Sequence, residues 1–131
     1  MATTVCLDTA HSASIIYRCV NVQGIIIPAP DWRPQQDAFS DATVLLEFKG
    51  VGEPSTVRWS NSTETYAGVG APMTAGFAIV IFGGEFIESY VVNAGNQELL
   101  LTMTRSGSAL LPNSAKAYRG SCKPAGIETR P

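Results

Sequence analysis

The second half of the chain alternates between apolar and polar positions with a period of two residues. Such alternation is typical of strands, because successive side chains point to opposite faces of a sheet. The segments around Leu46, Trp59, Phe77 and Phe86 all show it, and no stretch shows a convincing 3.6-residue helical period. The pattern therefore predicts an all-β protein.

Two pairs of alternating segments predict hairpins. Residues 43–49 and 56–60 surround the turn cluster Gly-Val-Gly-Glu-Pro, and residues 86–92 and 97–104 surround Asn-Ala-Gly-Asn. Glycine and asparagine tolerate the positive φ angles that tight turns need. The inward phase of Trp59 in its segment predicts a core position for that ring.

Further strands are predicted at residues 4–7, 14–22, 25–27 and 74–82, with weaker candidates at residues 109–111 and 116–122. The segment 74–82 is apolar on both faces, which suggests a strand covered on two sides or one at a subunit contact.

The remaining stretches predict irregular structure. Residues 31–41 are expected to form a loop that holds at most one helical turn over residues 34–39, since proline is tolerated at a first helical position. Residues 61–72 are polar and then glycine-rich, and are expected to form a long connection. Residues 123–131 are expected to form a loose C-terminal tail.

Eight or nine short strands at even spacing indicate a sandwich or barrel rather than alternating strand–helix units. We therefore expect residues 1–131 to form a single-domain antiparallel sandwich or jelly-roll-like barrel of about eight short strands. An immunoglobulin-like sandwich is a variant of this interpretation, and a partly open barrel is the alternative.

The chain carries few charges for a soluble protein. Charged residues make up 15% of the sequence, against about 25% on average. Either other subunits or partners cover part of the surface, or a monomer presents a neutral Ser, Thr and Asn surface. Net charge is -2 and the cations are scattered, so no nucleic-acid partner is expected. No apolar run is long enough for a membrane span, so no membrane partner is expected either.

The first residues do not form a signal peptide, because no basic group precedes an apolar segment. We expect a chain that is made in the cytoplasm, as a particle protein would be, or one from which a leader was removed. Its final location is then a virion or, if it is exported, the extracellular space.

The chain has three cysteines, Cys6, Cys19 and Cys122. Three buried reduced thiols, which behave as small hydrophobic side chains, are the preferred interpretation. One disulfide with one remaining thiol is the alternative, in three pairings. A Cys19–Cys122 or Cys6–Cys122 bridge would close a loop of roughly 100 residues. A metal site is not expected, since there is no C-x-x-C spacing and His11 is the only histidine.

Catalytic signals are weak. His11 lies near Asp8, Ser12 and Ser14, but no nucleophile-elbow pattern accompanies it, and an exposed loop histidine is the better interpretation. Glu85 is followed by Glu88 at an odd spacing, which places two carboxylates on opposite faces of a strand and favours solvated acids. We expect no enzyme, no catalytic residue and no cofactor.

Aromatic residues in the predicted loops suggest a ligand platform. Trp32 and Tyr66 combine apolar faces with polar neighbours, an arrangement that suits sugar rings. The sequence therefore offers a glycan as one partner, with Trp32 as the more exposed ring.

The absence of site chemistry favours a non-enzymatic structural module that works in an assembly, in contact with itself or other protein subunits. In style the chain is similar to the small β-proteins that decorate or complete virus particles, such as capsid-decoration or tail components. Phe77, Ile79, Ile81 and Phe82 are the expected assembly contact. The alternative is a secreted or periplasmic module that binds a glycan or a protein.

Overall fold

The computed structural model describes residues 13–39 and 41–129, and every regular element among them is a β-strand. The strands are β1 (Ala13–Pro28), β2 (Gln35–Ala38), β3 (Val44–Phe48), β4 (Pro54–Trp59), β5 (Tyr66–Met73), β6 (Gly76–Phe82), β7 (Phe86–Asn93), β8 (Glu98–Arg105) and β9 (Ser114–Thr129). The all-β, single-domain prediction is confirmed. The strand predicted at residues 4–7 lies outside the described residues.

Eight of these strands form a closed antiparallel barrel. From β3 to β9 each strand pairs with the next one in the chain, and β1 pairs with both β3 and β9 to complete the ring. A closed ring satisfies the backbone hydrogen bonds of strands that would otherwise be sheet edges. The two predicted hairpins are confirmed as β3–β4 and β7–β8.

The long strand β1 bends and changes partner. Its first half pairs with β3, and from Gln23 onward it pairs with β2, which lies outside the ring. The ladder with β9 is irregular between Val20 and Gln23, and Asn21 there has a φ of 55°. This bulge opens a gap between β2 and β3 on the side of the barrel.

The inside of the barrel is filled with side chains. Alternate positions of the strands point inward, so the apolar phase of each segment becomes the core. Trp59 is buried, as its phase predicts, and Tyr90 is fully buried. The other buried apolar side chains are Tyr17, Cys19, Val22, Ala42, Val44, Leu46, Val57, Phe77, Ile79, Ile81, Val92, Leu99, Leu101, Tyr118 and Cys122.

Three predicted irregular segments are strands in the structure. Residues 35–38, expected within a loop or helical turn, pair with β1 as β2. Residues 66–73, expected within a connection, form β5. Residues 123–129, expected in a loose tail, continue β9 along β1, whereas residues 130–131 lie outside the described residues. The weak candidate at residues 109–111 forms no strand.

A disulfide joins Cys19 to Cys122. The two residues are register partners across the β1–β9 ladder, and both are buried. The preferred interpretation of reduced thiols is therefore wrong for this pair, and Cys6 lies outside the described residues. The bridge fastens the ladder that closes the ring.

Candidate functional site

The four residues expected to form an assembly contact lie on opposite sides of the barrel wall. Phe77, Ile79 and Ile81 point inward and are core residues, so they offer no exposed area for a partner. Phe82 points outward, and 64% of its surface is exposed. Both faces of this strand are apolar in sequence, and the closure of the sheet into a barrel determines which face is buried.

The outer face of β5–β8 is apolar and uncharged. Its outward positions form three cross-strand rows: Val69, Val80, Ser89 and Thr102; Ala71, Ala78, Val91 and Leu100; and Phe82, Ile87 and Thr104. None of these side chains carries a charge. Exposed apolar patches of this kind are uncommon on monomers and often mark contact sites. We refer to these residues as the β5–β8 face.

A hollow adjoins the β5–β8 face at the start of β5. It has a volume of about 490 Å³, and its walls include Val51, Pro54, Val69, Val80 and Phe82. Glycines at positions 68 and 70 of β5 also line it. Glu53 also lines the hollow, so its walls are mainly apolar with one carboxylate, and the exposed ring of Phe82 lies at its rim.

Trp32 and Tyr66, the expected ligand platform, are both exposed, but Trp32 lies in a turn and Tyr66 lies on a strand. Trp32 sits in the β1–β2 turn with a φ of 56°, and its backbone N–H donates to the carbonyl of Pro28. Tyr66 begins β5, where Glu64 accepts its hydroxyl hydrogen and raises its pKa. No contact between the two rings is among the aromatic pairs of the described residues.

A buried hydrogen-bond chain lies inside the barrel. The indole N–H of Trp59 donates to the hydroxyl of Tyr90 over 3.1 Å, and this hydroxyl donates to Glu88 over 2.8 Å. Glu88 was expected to be a solvated acid, but it is half-buried because its strand position points inward, whereas Glu85 is exposed. The chain satisfies the polar atoms of two large aromatic rings in the core.

A second aromatic group closes the barrel near β2. Phe39 packs against Trp59, with ring centroids 4.4 Å apart, and against Tyr118 at 4.9 Å. The hydroxyl of Tyr118 donates to Asp37 of β2 over 2.5 Å. The packing of the Phe39 ring and the hydrogen bond to the Asp37 carboxylate therefore hold β2 and the residue after it against the core.

Burial changes the acidity of two tyrosines. Burial first, and the charge of Glu88 second, raise the pKa of Tyr90 well above its usual value. Burial, with the hydrogen bond to Asp37, likewise raises the pKa of Tyr118. Both hydroxyls therefore stay protonated in the folded protein at pH values at which they ionise in the unfolded chain.

This difference predicts a loss of stability in alkaline solution. The unfolded chain releases tyrosine protons near pH 10, whereas the folded chain retains them, so unfolding becomes coupled to proton release. The stabilisation is fully present below about pH 10 and is lost as pH rises above it, by about 1.4 kcal/mol per pH unit for Tyr90. Urea unfolding at a series of pH values measures the slope.

The matched variant for this experiment is Tyr90→Phe, which lacks the ionisable hydroxyl. Its free energy of unfolding is expected to fall less steeply above pH 10 than that of the wild type, whatever its value at neutral pH. Parallel profiles for the two proteins would contradict the assignment of the buried proton to Tyr90.

A polar groove crosses the outer surface at the bulge of β1. Two concavities, of about 760 and 340 Å³, meet there and have Asn21, Gln23 and Ala38 in common. The larger extends over β9 to Arg119, and the smaller extends to Phe39 at the gap between β2 and β3. Sequence reasoning did not find this groove, because it arises from the bend in β1. We refer to it as the bulge groove.

The described residues, 13–39 and 41–129, contain neither a metal-ligand cluster nor a membrane-spanning helix. No three His, Cys, Asp or Glu side chains in these ranges lie close enough together to hold a metal ion. No helix in the same ranges is long and apolar enough to cross a bilayer. His11, Asp8 and Ser12 lie outside the described residues, and Ser14 is a half-buried position of β1.

In comparisons with known proteins, no family model, no curated protein and no solved structure matches this chain.

Proposed function

We propose that this domain is a non-enzymatic structural module that assembles with a second copy of itself through the β5–β8 face. The observation that carries the proposal is the uncharged and mainly apolar outer surface of these strands, on which Val69, Ile87 and Leu100 are exposed and Phe82 is 64% exposed at the edge. The filled interior of the barrel supports a role in which the outer surface, rather than an internal cavity, makes the contact.

The absence of charge favours a second copy as the partner. In a two-fold symmetric contact each residue near the axis meets its own counterpart, so a charged side chain there would face a like charge. The β5–β8 face has no charged side chain and avoids this repulsion. The low charged fraction of the chain, 15%, agrees with a surface that is partly covered.

The shape of the surface also supports a symmetric pair. Phe82 protrudes beside the 490 Å³ hollow, so a copy rotated by 180° can place its own Phe82 over the hollow of the first. Outer faces of sheets pack well on one another at about 10 Å separation. A closed dimer of this kind suits a component that is added to a larger particle, such as a capsid-decoration or tail protein, which is the setting that we propose.

The size of the face indicates a weak dimer. Four strands about 4.8 Å apart and roughly six residues long cover on the order of 400 Å² in projection. Standard stable interfaces bury about 800 Å² of accessible surface on each partner, and smaller ones are weak or transient. We therefore expect dimerisation in the micromolar range or weaker.

The test is the molecular mass in solution, measured by sedimentation equilibrium over a concentration series that reaches the millimolar range. The wild type is expected to shift from monomer to dimer. Phe82→Glu is expected to weaken the dimer at least about tenfold, because it removes an exposed ring and brings two carboxylates together across the axis.

Leu110→Glu is the matched control. Leu110 is 92% exposed in the β8–β9 loop and is not one of the residues of the β5–β8 face, so this variant is expected to dimerise as the wild type does. Both substitutions are at exposed positions and should leave the urea midpoint nearly unchanged. A wild type that stays monomeric throughout the series, or equal weakening by both variants, would overturn the proposal.

A further inference from the structure

The bulge groove exposes backbone and side-chain polar groups in the middle of the sheet. Val20 pairs with Ser121 and Gln23 pairs with Arg119, so two residues of β1 lie opposite one residue of β9. Such a bulge leaves the extra residue outside the ladder. Asn21 occupies this position with a φ of 55°, which asparagine tolerates better than most residues. Its amide and backbone groups are therefore available at the groove.

The side chains around Asn21 have the same hydrogen-bonding character. Gln23 and Gln36 project from neighbouring strands into the groove, and Ser121 projects from β9. Amides and hydroxyls both donate and accept hydrogen bonds. The hydroxyl groups of a ligand need both donors and acceptors as partners. This lining therefore matches a ligand that is rich in hydroxyl groups.

The charged side chains at the larger concavity already have polar partners. The guanidinium of Arg119 is paired with Glu98, with Nη2 2.6 Å from the carboxylate, and Asp37 accepts the hydroxyl of Tyr118. Asp41, in the smaller concavity, is an exposed carboxylate that can accept from ligand hydroxyls. Because Arg119 is already paired and Asp37 and Asp41 are carboxylates, the lining repels an anionic ligand and is compatible with a neutral one.

An aromatic ring and small residues complete the lining. Phe39 lines the smaller concavity and is held in place by its packing on Trp59 and Tyr118. Aromatic faces supply rigid apolar area for the C–H surface of a sugar ring. Gly24 and Gly120 also line the larger concavity, where the absence of a side chain on Gly24 lets β1 and β9 approach each other closely.

We propose that the bulge groove binds a neutral carbohydrate, with the amides of Asn21, Gln23 and Gln36 contacting its hydroxyls and Phe39 contacting its apolar face. This site is distinct from the platform of Trp32 and Tyr66 expected from the sequence. It is also separate from the β5–β8 face, since it lies on β1, β2 and β9, so its test does not depend on self-association.

The probe is an array of neutral oligosaccharides, followed by calorimetric titration of the wild type with the sugar that binds best. Gln36→Ala and Asn21→Gly are each expected to weaken this binding about 3- to 10-fold, the usual effect of one lost hydrogen bond. Glycine at position 21 adopts the positive φ freely, so this variant removes the amide without straining the bulge.

Gln35→Ala is the matched control, because Gln35 is the same residue type on the same strand but points to the opposite face. Its affinity for the sugar should equal that of the wild type. The proposal is overturned if no neutral oligosaccharide on the array binds. It is also overturned if binding survives both groove variants, including the case in which Trp32→Ala abolishes it instead.

Discussion

Reduction of the Cys19–Cys122 disulfide is expected to lower the free energy of unfolding by about 3 to 5 kcal/mol. The two cysteines are 103 residues apart, so the bridge restricts nearly the whole unfolded chain. In the chain-entropy account, the loss of such a long loop has a large effect. For a domain of this size the melting temperature should fall by roughly 10 to 20 °C.

Urea unfolding with and without a reductant measures this difference. The double variant Cys19→Ala/Cys122→Ala distinguishes the bridge from the side chains, because it removes both the bond and the sulfur atoms. Reduced wild type should lose most of the stability that the double variant loses. Thiol titration in denaturant should gain two groups on reduction. Equal urea midpoints for oxidised and reduced wild type would refute the prediction.

Replacement of Tyr90 by alanine is expected to destabilise the barrel by about 3 to 5 kcal/mol, the range observed for large aromatic residues in cores. The ring is fully buried among β4, β6 and β7, and its loss leaves a cavity. It also removes the hydroxyl that accepts from the Trp59 indole and donates to Glu88. Both groups would then lack a partner inside the barrel.

Two further variants separate the cavity from the hydrogen bonds. Tyr90→Phe keeps the ring and loses the hydroxyl, so it should cost about 1 to 3 kcal/mol. Tyr66→Ala removes the same residue type at an exposed position and should cost about 0.5 kcal/mol or less. Urea unfolding monitored by tryptophan fluorescence gives all three values. A Tyr90→Ala variant as stable as Tyr66→Ala would show that the core tolerates the loss.

Several of the predicted strands were recognised from the alternation of their side chains. In β3, β4 and β8 the period of two residues is visible, because burial acts on alternate positions of each strand. Trp59 was predicted to lie in the core for this reason, and it is buried. The hairpins followed from local turn residues, which need no knowledge of the rest of the fold.

The strands that were missed depend on neighbours distant in sequence. In β5 the inward positions include Gly68 and Gly70, where a side chain would collide with β6 or with Phe48. Glycine in sequence indicates a turn, but here it permits close approach within a wall. The last part of β9 contains Pro124, which is tolerated because β9 has only β1 as a neighbour there.

The candidate sites were less predictable than the strands. Phe82 and Ile81 are adjacent and both apolar, so the sequence could not tell which of them faces solvent. The bulge groove depends on a register change between β1 and β9, a feature that only their pairing reveals. A local signal at the groove was Asn21, an exposed amide between Val20 and Val22. The choice among the three possible disulfides likewise depends on the pairing of β1 with β9, which places Cys19 opposite Cys122.

The pairing of the first described strand with the last has a consequence for how the protein forms. Every ladder from β3 to β9 joins neighbours in the chain and can assemble locally, but the seam between β1 and β9 needs strands about a hundred residues apart. During translation the ring of strands therefore cannot close until β9 has left the ribosome. In that interval its unpaired margins are the parts most exposed to aggregation and most in need of a chaperone.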